Sequence, residues 1–167
     1  MSRTAAKGVP MKTLVLGLGN PLRRDDGIGL QVVQRVASTL VHRENVDIEE
    51  DHRGGLRLME RLVGYDRAII VDAILSGAPP GTVHRLSPSS IPTRNSACAH
   101  DVDLPMALAL GRQAGGKLPR DENILLLAIE AADVDTFGDT YTEAVLAAVP
   151  QAADAVIAAL GKAGQSP

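Results

Sequence analysis

Three places in this sequence carry side chains of the right type and spacing for chemistry. They are the adjacent Asp25 and Asp26 beyond a glycine-rich loop, Asp72 at the end of an apolar run, and His100 in a segment with little packing demand. Two carboxylates and one imidazole make a hard-to-borderline N/O donor set suited to Zn, Ni, Mn or Fe rather than a thiolate site. The same carboxylates are candidate general bases. Residues 14–29 begin as an apolar strand, pass through Gly17-Leu18-Gly19-Asn20-Pro21-Leu22 and reach the aspartate pair. The glycines suggest a dinucleotide loop, yet the third glycine of that fingerprint is missing and two negative charges would face the pyrophosphate. Phosphate cradling is disfavoured, and metal or acid/base chemistry moves up.

Each candidate has a plainer alternative. One of Asp25 and Asp26 is expected to be a helix-entry acid that meets exposed backbone N–H groups, and position alone does not say which. Asp72 has the alternative of bonding to nearby loop amides. Among the histidines, His42 suits a helix C-terminus, His52 falls in a loop, and His84 lies in an apparent strand with a face toward solvent. His100, just ahead of a helix, is the strongest of the four. Cys98 lies two residues from His100, too close in sequence for the usual cysteine and base, and reads as a small semi-buried thiol. No Gly-x-Ser-x-Gly elbow or His-Glu-x-x-His helix occurs, so serine-hydrolase and zincin chemistry have no support.

The elements that must position these groups follow from periodicity. Strands are expected at 13–18, 46–49, 67–73, 82–86 and 123–129, and helices at 26–41, 56–63, 104–112 and 142–160, with Pro150 bending the last. Residues 87–101 read as loop. Strands alternating with helices predict a single-domain α/β three-layer sandwich, with a mainly parallel sheet of about five strands and helices on both faces. The strand at 82–86 follows a connection too short for a helix and is expected to be antiparallel. In such a sheet, groups at the carboxyl ends of separate strands share one edge, so Asp26 and Asp72 can converge.

Bulk properties narrow the function classes. At 167 residues and 45% hydrophobic, the chain suits one domain, placed at 11–161, with a loose extension at 1–10 and a frayed tail at 162–167. A formal net charge of −3, scattered rather than blocked, gives no footprint for nucleic acid or an anionic membrane. Aromatic content of 2% argues against base-stacking platforms. A single cysteine, no run of roughly 18 continuous apolar residues and no apolar core near the start point to a cytoplasmic protein. The oligomeric state stays open.

Assembled, these positions resemble the nickel-iron hydrogenase maturation endopeptidases. The resemblance is carried by residues 17–29, by Gly55, by Val71-Asp72-Ala73, by Pro80-Gly81-Thr82 and by His100, in order over about residues 12–160. It implies that Asp26, the second acid of the pair, is the metal-contacting acid, with Asp72 and His100 completing the set and Asp25 left as the helix-entry acid. It further implies a protease that removes a C-terminal extension from a hydrogenase large-subunit precursor after nickel insertion, the nickel arriving on the substrate. Whether a carboxylate or the metal activates water stays open. In one departure, Glu50-Asp51-His52-Arg53-Gly54-Gly55 stands where the family usually has an Asp-Gly-Gly-Thr-like run, which bears on substrate choice. Two other readings compete. A peptidyl-tRNA hydrolase shares the Gly-Leu-Gly-Asn-Pro run, but that resemblance ends at Pro21 or Leu22. A non-catalytic nickel-binding or delivery module would use the same three ligands.

Overall fold

The computed structural model describes residues 10–52, 56–90 and 104–161. Cys98, His100, the tail at 162–167 and all of the expected extension except Pro10 lie outside the described residues. In chain order the elements are β1 (Thr13–Leu18), α1 (Ile28–Thr39), β2 (Val46–Asp51), α2 (Leu56–Leu62), β3 (Arg67–Ile74), β4 (Val83–Leu86), α3 (Leu104–Gln113), β5 (Ile124–Glu130) and α4 (Glu143–Gly161). Short 3-10 turns precede α1, α3 and β5.

The five strands form one sheet in the order β2-β1-β3-β5-β4. All neighbours are parallel except β4, which runs antiparallel to β5, as its short connection requires. Central strands covered on both faces need apolar residues at every position. Accordingly β1 is buried throughout, and β3 throughout after Arg67. Alternate residues serve opposite layers. Val15, Ile69, Val71, Leu127 and Ile129 belong to the core beneath α1 and α4. Leu14, Leu16, Ala68, Ile70 and Leu126 belong to the core with α2 and α3. Each Val, Leu or Ile buried this way contributes about 1.5–3 kcal/mol relative to exposure, so aliphatic side chains suffice where aromatics are scarce.

By length and a mean hydropathy of 1.7, α4 would pass for a membrane-crossing segment. It is instead a core helix, with Val145, Val149, Ala152, Val156 and Leu160 buried. Pro150 lies within it on the exposed side, where its ring leaves the carbonyl of the half-exposed Leu146 without a helical donor.

The first helix departs from expectation at its start. Residues 24–27 form a 3-10 turn, closed by the Asp26 N–H donating to the Arg23 carbonyl at 2.9 Å, and the α-helix begins only at Ile28. The reason is close packing. A Cβ on Gly29 would collide with the carbonyl oxygens of Leu18 and Val71, so the first turn of α1 rests directly on the ends of β1 and β3. The tighter turn lets the chain rise from β1 and come straight back down onto the sheet.

Candidate active site

From β1 the chain runs through α1 to β2 on one side, then returns through α2 past β1 to β3 on the other. That reversal leaves a crevice at the carboxyl ends of β1 and β3, the place where open α/β sheets bind ligands. Gly17 is in register with Val71, which makes Leu18 and Asp72 the neighbouring pair at this edge. Gly29, seated on Leu18 and Val71, holds the turn that carries Asp26 over the same edge. Asp26 and Asp72 are therefore brought to one crevice by two different strands.

Asp26 is 2% exposed. Its Oδ2 accepts a hydrogen bond from the Asn20 N–H at 3.0 Å. The Asn20 side chain in turn accepts from Leu22 N–H at 2.9 Å, and its carbonyl accepts from Arg23 N–H at 3.1 Å. This closed loop needs Gly19 at φ 146°, because a Cβ there would run into the Asp26 carbonyl. Among the described residues, Oδ1 of Asp26 accepts no hydrogen bond, and no Lys, Arg or His pairs with the carboxylate. A buried carboxylate without a cationic partner suits a cation supplied from outside the chain. Asp72 is also buried, and its Oδ1 accepts from Ala73 N–H at 2.8 Å. By strand alternation it shares the α2/α3 layer with Ile70 and Ile74.

Asp25 behaves differently from its neighbour. Its Oδ1 accepts from Thr142 N–H at 2.7 Å, and its Oδ2 accepts from Thr142 Oγ1 at 2.8 Å, Ala132 N–H at 2.9 Å and Asp133 N–H at 3.0 Å. The expectation that it caps the entry of its own helix is corrected. Among the described residues no side chain caps the turn at Arg24–Gly27 or α1, and Asp25 serves the start of α4 instead. The turn directs Asp25 inward, where the loop after β5 and the first turn of α4 lack acceptors.

His84 is the second correction. Rather than facing solvent, it is half-buried, with Nε2 3.2 Å from Glu130 Oε2. Glu130, 1% exposed at the end of β5, also accepts from Ser76 N–H at 2.7 Å, Ser76 Oγ at 2.6 Å and Gly77 N–H at 2.9 Å. Burial pushes its carboxyl up, but the Ser76, Gly77 and His84 hydrogen bonds outweigh this and hold it below the ordinary glutamate value. A buried glutamate closing a strand, beside a Ser-Gly turn, was the available sequence signal for this lock.

His52, a loop residue by sequence, brings its Nδ1 within 3.3 Å of the Gly19 carbonyl. It thus stands at the margin of the loop that holds Asp26. Its place directly after β2, beside the strand that begins the reversal, is the clue that sequence offered. Of the two acids in the divergent segment, Asp51 is buried and bonded by Arg61 Nε at 3.1 Å, whereas Glu50 is exposed. Tyr141 reaches across to the Gly27 carbonyl at 3.2 Å, and burial pushes its phenol up, helped by the nearby Glu50 and Asp25 charges. His42, at the far end of α1, does not approach the crevice residues just described; it lines a groove with Ala37, Leu40 and Ile48.

Among the described residues no three His, Cys, Asp or Glu side chains assemble into a metal-holding group. The third expected ligand, His100, lies outside them, four positions before Leu104 in the chain. The start of α3 does lie at the right edge. The chain leaves α3 toward Lys117, whose carbonyl accepts from Gly64 N–H at the amino end of the sheet, so the helix begins near the carboxyl end.

Comparison with known proteins agrees with this architecture. A family model described as hydrogenase maturation protease matches residues 30–159. The match starts after the glycine loop, so it is independent of the run shared with peptidyl-tRNA hydrolases. The hydrogenase 2 maturation protease of Escherichia coli is 29% identical over 157 residues, covering 92% of this chain and 93% of that protein. The hydrogenase expression/formation protein HupD of Thiocapsa roseopersicina is 30% identical over 75% of this chain, and the match spans 57% of that relative's length. Among solved structures, the hydrogenase maturating endopeptidase HybD from Escherichia coli superposes with a TM-score of 0.79 at 28% identity, covering 92% of this chain and 94% of that one. HybD from Thermococcus kodakarensis, a [NiFe] hydrogenase maturation protease, gives 0.67 at 28% identity, covering 88% and 97%. With its reversal crevice, its strand order and the match across most of its length, the chain belongs to the hydrogenase maturation protease family.

Proposed function

We propose that this protein is a cytoplasmic endopeptidase that removes a C-terminal extension from the precursor of a nickel-iron hydrogenase large subunit once nickel has been inserted. Asp26, Asp72 and His100 recognise the nickel that the substrate brings. The observation that carries this reading is the buried Asp26 carboxylate, without a cationic partner among the described residues, beside Asp72 at the reversal crevice. Family membership supports the peptidase activity and the class of substrate.

An incomplete set of N/O donors fits a metal that arrives on the substrate and departs with the product. The two carboxylates and the imidazole bind the ion while it is still held by the precursor, which aligns the scissile peptide over the crevice. Asp26 offers Oδ1 to the ion, since Oδ2 is fixed by Asn20 and Oδ1 accepts no hydrogen bond among the described residues. Water is activated either by a carboxylate of the crevice or by the substrate-borne metal. Binding only a loaded precursor makes the enzyme a test of metal insertion.

The test is to incubate the purified protein with nickel-loaded and nickel-free large-subunit precursor and to follow the mass of the large subunit. Cleavage of the loaded form alone is expected. Failure on several loaded precursors sinks the reading, and stable nickel retention without cleavage would replace it with a delivery role.

A further inference from the structure

We propose that Leu22, Arg23 and Phe137 form a docking ridge for the substrate polypeptide at the mouth of the crevice, with Arg23 receiving an acidic group of that polypeptide. This inference rests on the proposed function and assigns specificity to residues outside the nickel-recognition set.

Phe137 is the only phenylalanine in the chain, and it is 74% exposed. In a protein this poor in aromatics, core packing would be the expected use for such a side chain. Leu22 is 65% exposed on the neighbouring segment. The two segments are joined through backbone: Gly138 N–H donates to the Leu22 carbonyl at 3.0 Å, and Arg23 forms isolated bridges with Phe137 and Gly138. Further bonds stiffen the Phe137 loop. Asp133 Oδ1 accepts the Asp135 and Thr136 N–H groups, and Arg24 reaches the Thr140 carbonyl and Asp133. Two large apolar side chains are thus presented on a pre-organised surface, which lowers the ordering cost of binding.

Charge chooses the occupant. The Arg23 guanidinium lies over the Phe137 ring, 5.7 Å from its centroid. Arg24 is paired with Asp133, whereas Arg23 has no carboxylate partner among the described residues. Stacking holds the planar guanidinium while leaving its N–H fork available for a carboxylate. Exposed aromatic and arginine side chains together are the usual anchors of protein recognition.

The ridge is continuous with the site. The Arg23 carbonyl accepts the Asp26 N–H, and Leu22 N–H is held by Asn20, which also bonds the Asp26 carboxylate. A polypeptide lying on the ridge therefore enters the crevice beside Asp26. The occupant is a stretch of the large-subunit precursor that carries an apolar side chain next to an acidic one.

The experiment measures both binding and cleavage of nickel-loaded large-subunit precursor by the wild-type protein, Phe137→Ala, Arg23→Ala and Arg23→Glu. Melting curves serve as folding controls, and Phe137→Leu replaces Phe137→Ala if the latter melts early. Kd and KM are expected to rise about tenfold in Phe137→Ala and Arg23→Ala, with kcat within about twofold, as for anchor residues. Arg23→Glu should be weaker than Arg23→Ala, because it repels the acidic group. Unchanged Kd in all variants, or loss of kcat at unchanged KM, overturns the ridge. Equal weakening by Arg23→Ala and Arg23→Glu overturns the acidic occupant. Wild-type protein that binds the precursor without cleaving it overturns the proposed function alone, since the variants' Kd still decides the ridge. A wild-type protein that does not bind the precursor removes both.

Discussion

Asp25 and Thr142 hold each other by two hydrogen bonds, Thr142 N–H to Oδ1 at 2.7 Å and Thr142 Oγ1 to Oδ2 at 2.8 Å, across a separation of 117 positions. With the Ala132 and Asp133 amides on the same carboxylate, this contact fastens the turn before α1 to the start of α4. It also separates the roles of two adjacent aspartates. Asp25 is saturated by donors from its own chain, while among the described residues Asp26 accepts one bond, on Oδ2.

Replacing Asp25 should therefore damage stability first. Asp25→Ala leaves buried donors unsatisfied and is expected to cost about 2–4 kcal/mol in chemical denaturation. Asp25→Asn should cost less, since its carbonyl oxygen can keep the three Oδ2 donors while its NH2 group faces only the Thr142 N–H. A change under about 0.5 kcal/mol for Asp25→Ala would contradict the clamp.

At the crevice the balance is reversed. Asp26→Asn, Asp72→Asn and His100→Ala are each expected to abolish processing of loaded precursor while leaving the melting temperature within a few degrees of wild type. The Asp26 change keeps the volume and removes only charge. Normal cleavage by any one purified variant would take that residue out of the reaction.

Gly29 tests the seat on which the site rests. A methyl group there meets two backbone carbonyls, those of Leu18 and Val71, neither of which is free to swing away. Gly29→Ala should destabilise the fold by about 1–3 kcal/mol through overpacking and lower processing by displacing the Asp26 turn. Gly64→Ala is the control for loss of a glycine without a clash, since nothing lies near its added Cβ, though its φ of 87° adds local strain.

Glu130 predicts a pH dependence of folding. Burial alone would raise its pKa, but the Ser76, Gly77 and His84 hydrogen bonds lower it overall below the ordinary 4.5. A folded-state pKa below the unfolded one adds stability above the unfolded value, and that stability is lost as pH falls through the folded value. Unfolding free energies measured by denaturant should therefore fall below about pH 4.5, and Glu130→Gln should flatten the slope in that window. Asp133, lowered to about 2 chiefly by the Thr136 N–H, keeps its charge further into acid. An unchanged slope in Glu130→Gln would rule out Glu130 as the source.

The layers of the fold were legible because their signals are local. The apolar run ending in Asp72 can only be a strand covered on both faces, and the helical spacing of Val32, Val33 and Val36 marks the buried side of α1. Placement of Asp72 toward the carboxyl edge followed from its position late in that run and from the parallel sheet. What sequence did not reveal depends on distant partners. Helical periodicity cannot show that Gly29 must press onto two carbonyls, so the 3-10 turn that precedes α1 went unseen. The partner of Asp25 enters the chain more than a hundred positions later, and His84 and Glu130 lie 46 apart. Such pairings are set by strand order, which periodicity does not encode.

The long reach from Asp25 to Thr142 has a consequence for biosynthesis. During translation the glycine loop, both aspartates of the first turn and Asp72 leave the ribosome well before α4 exists. Until Thr142 arrives, the neighbour of Asp26 can be held only by the Ala132 and Asp133 amides and lacks the two Thr142 donors. The turn beneath the crevice is therefore fully fastened only once the start of α4 has emerged, so vectorial synthesis makes one of the earliest loops wait for a segment made more than a hundred residues later.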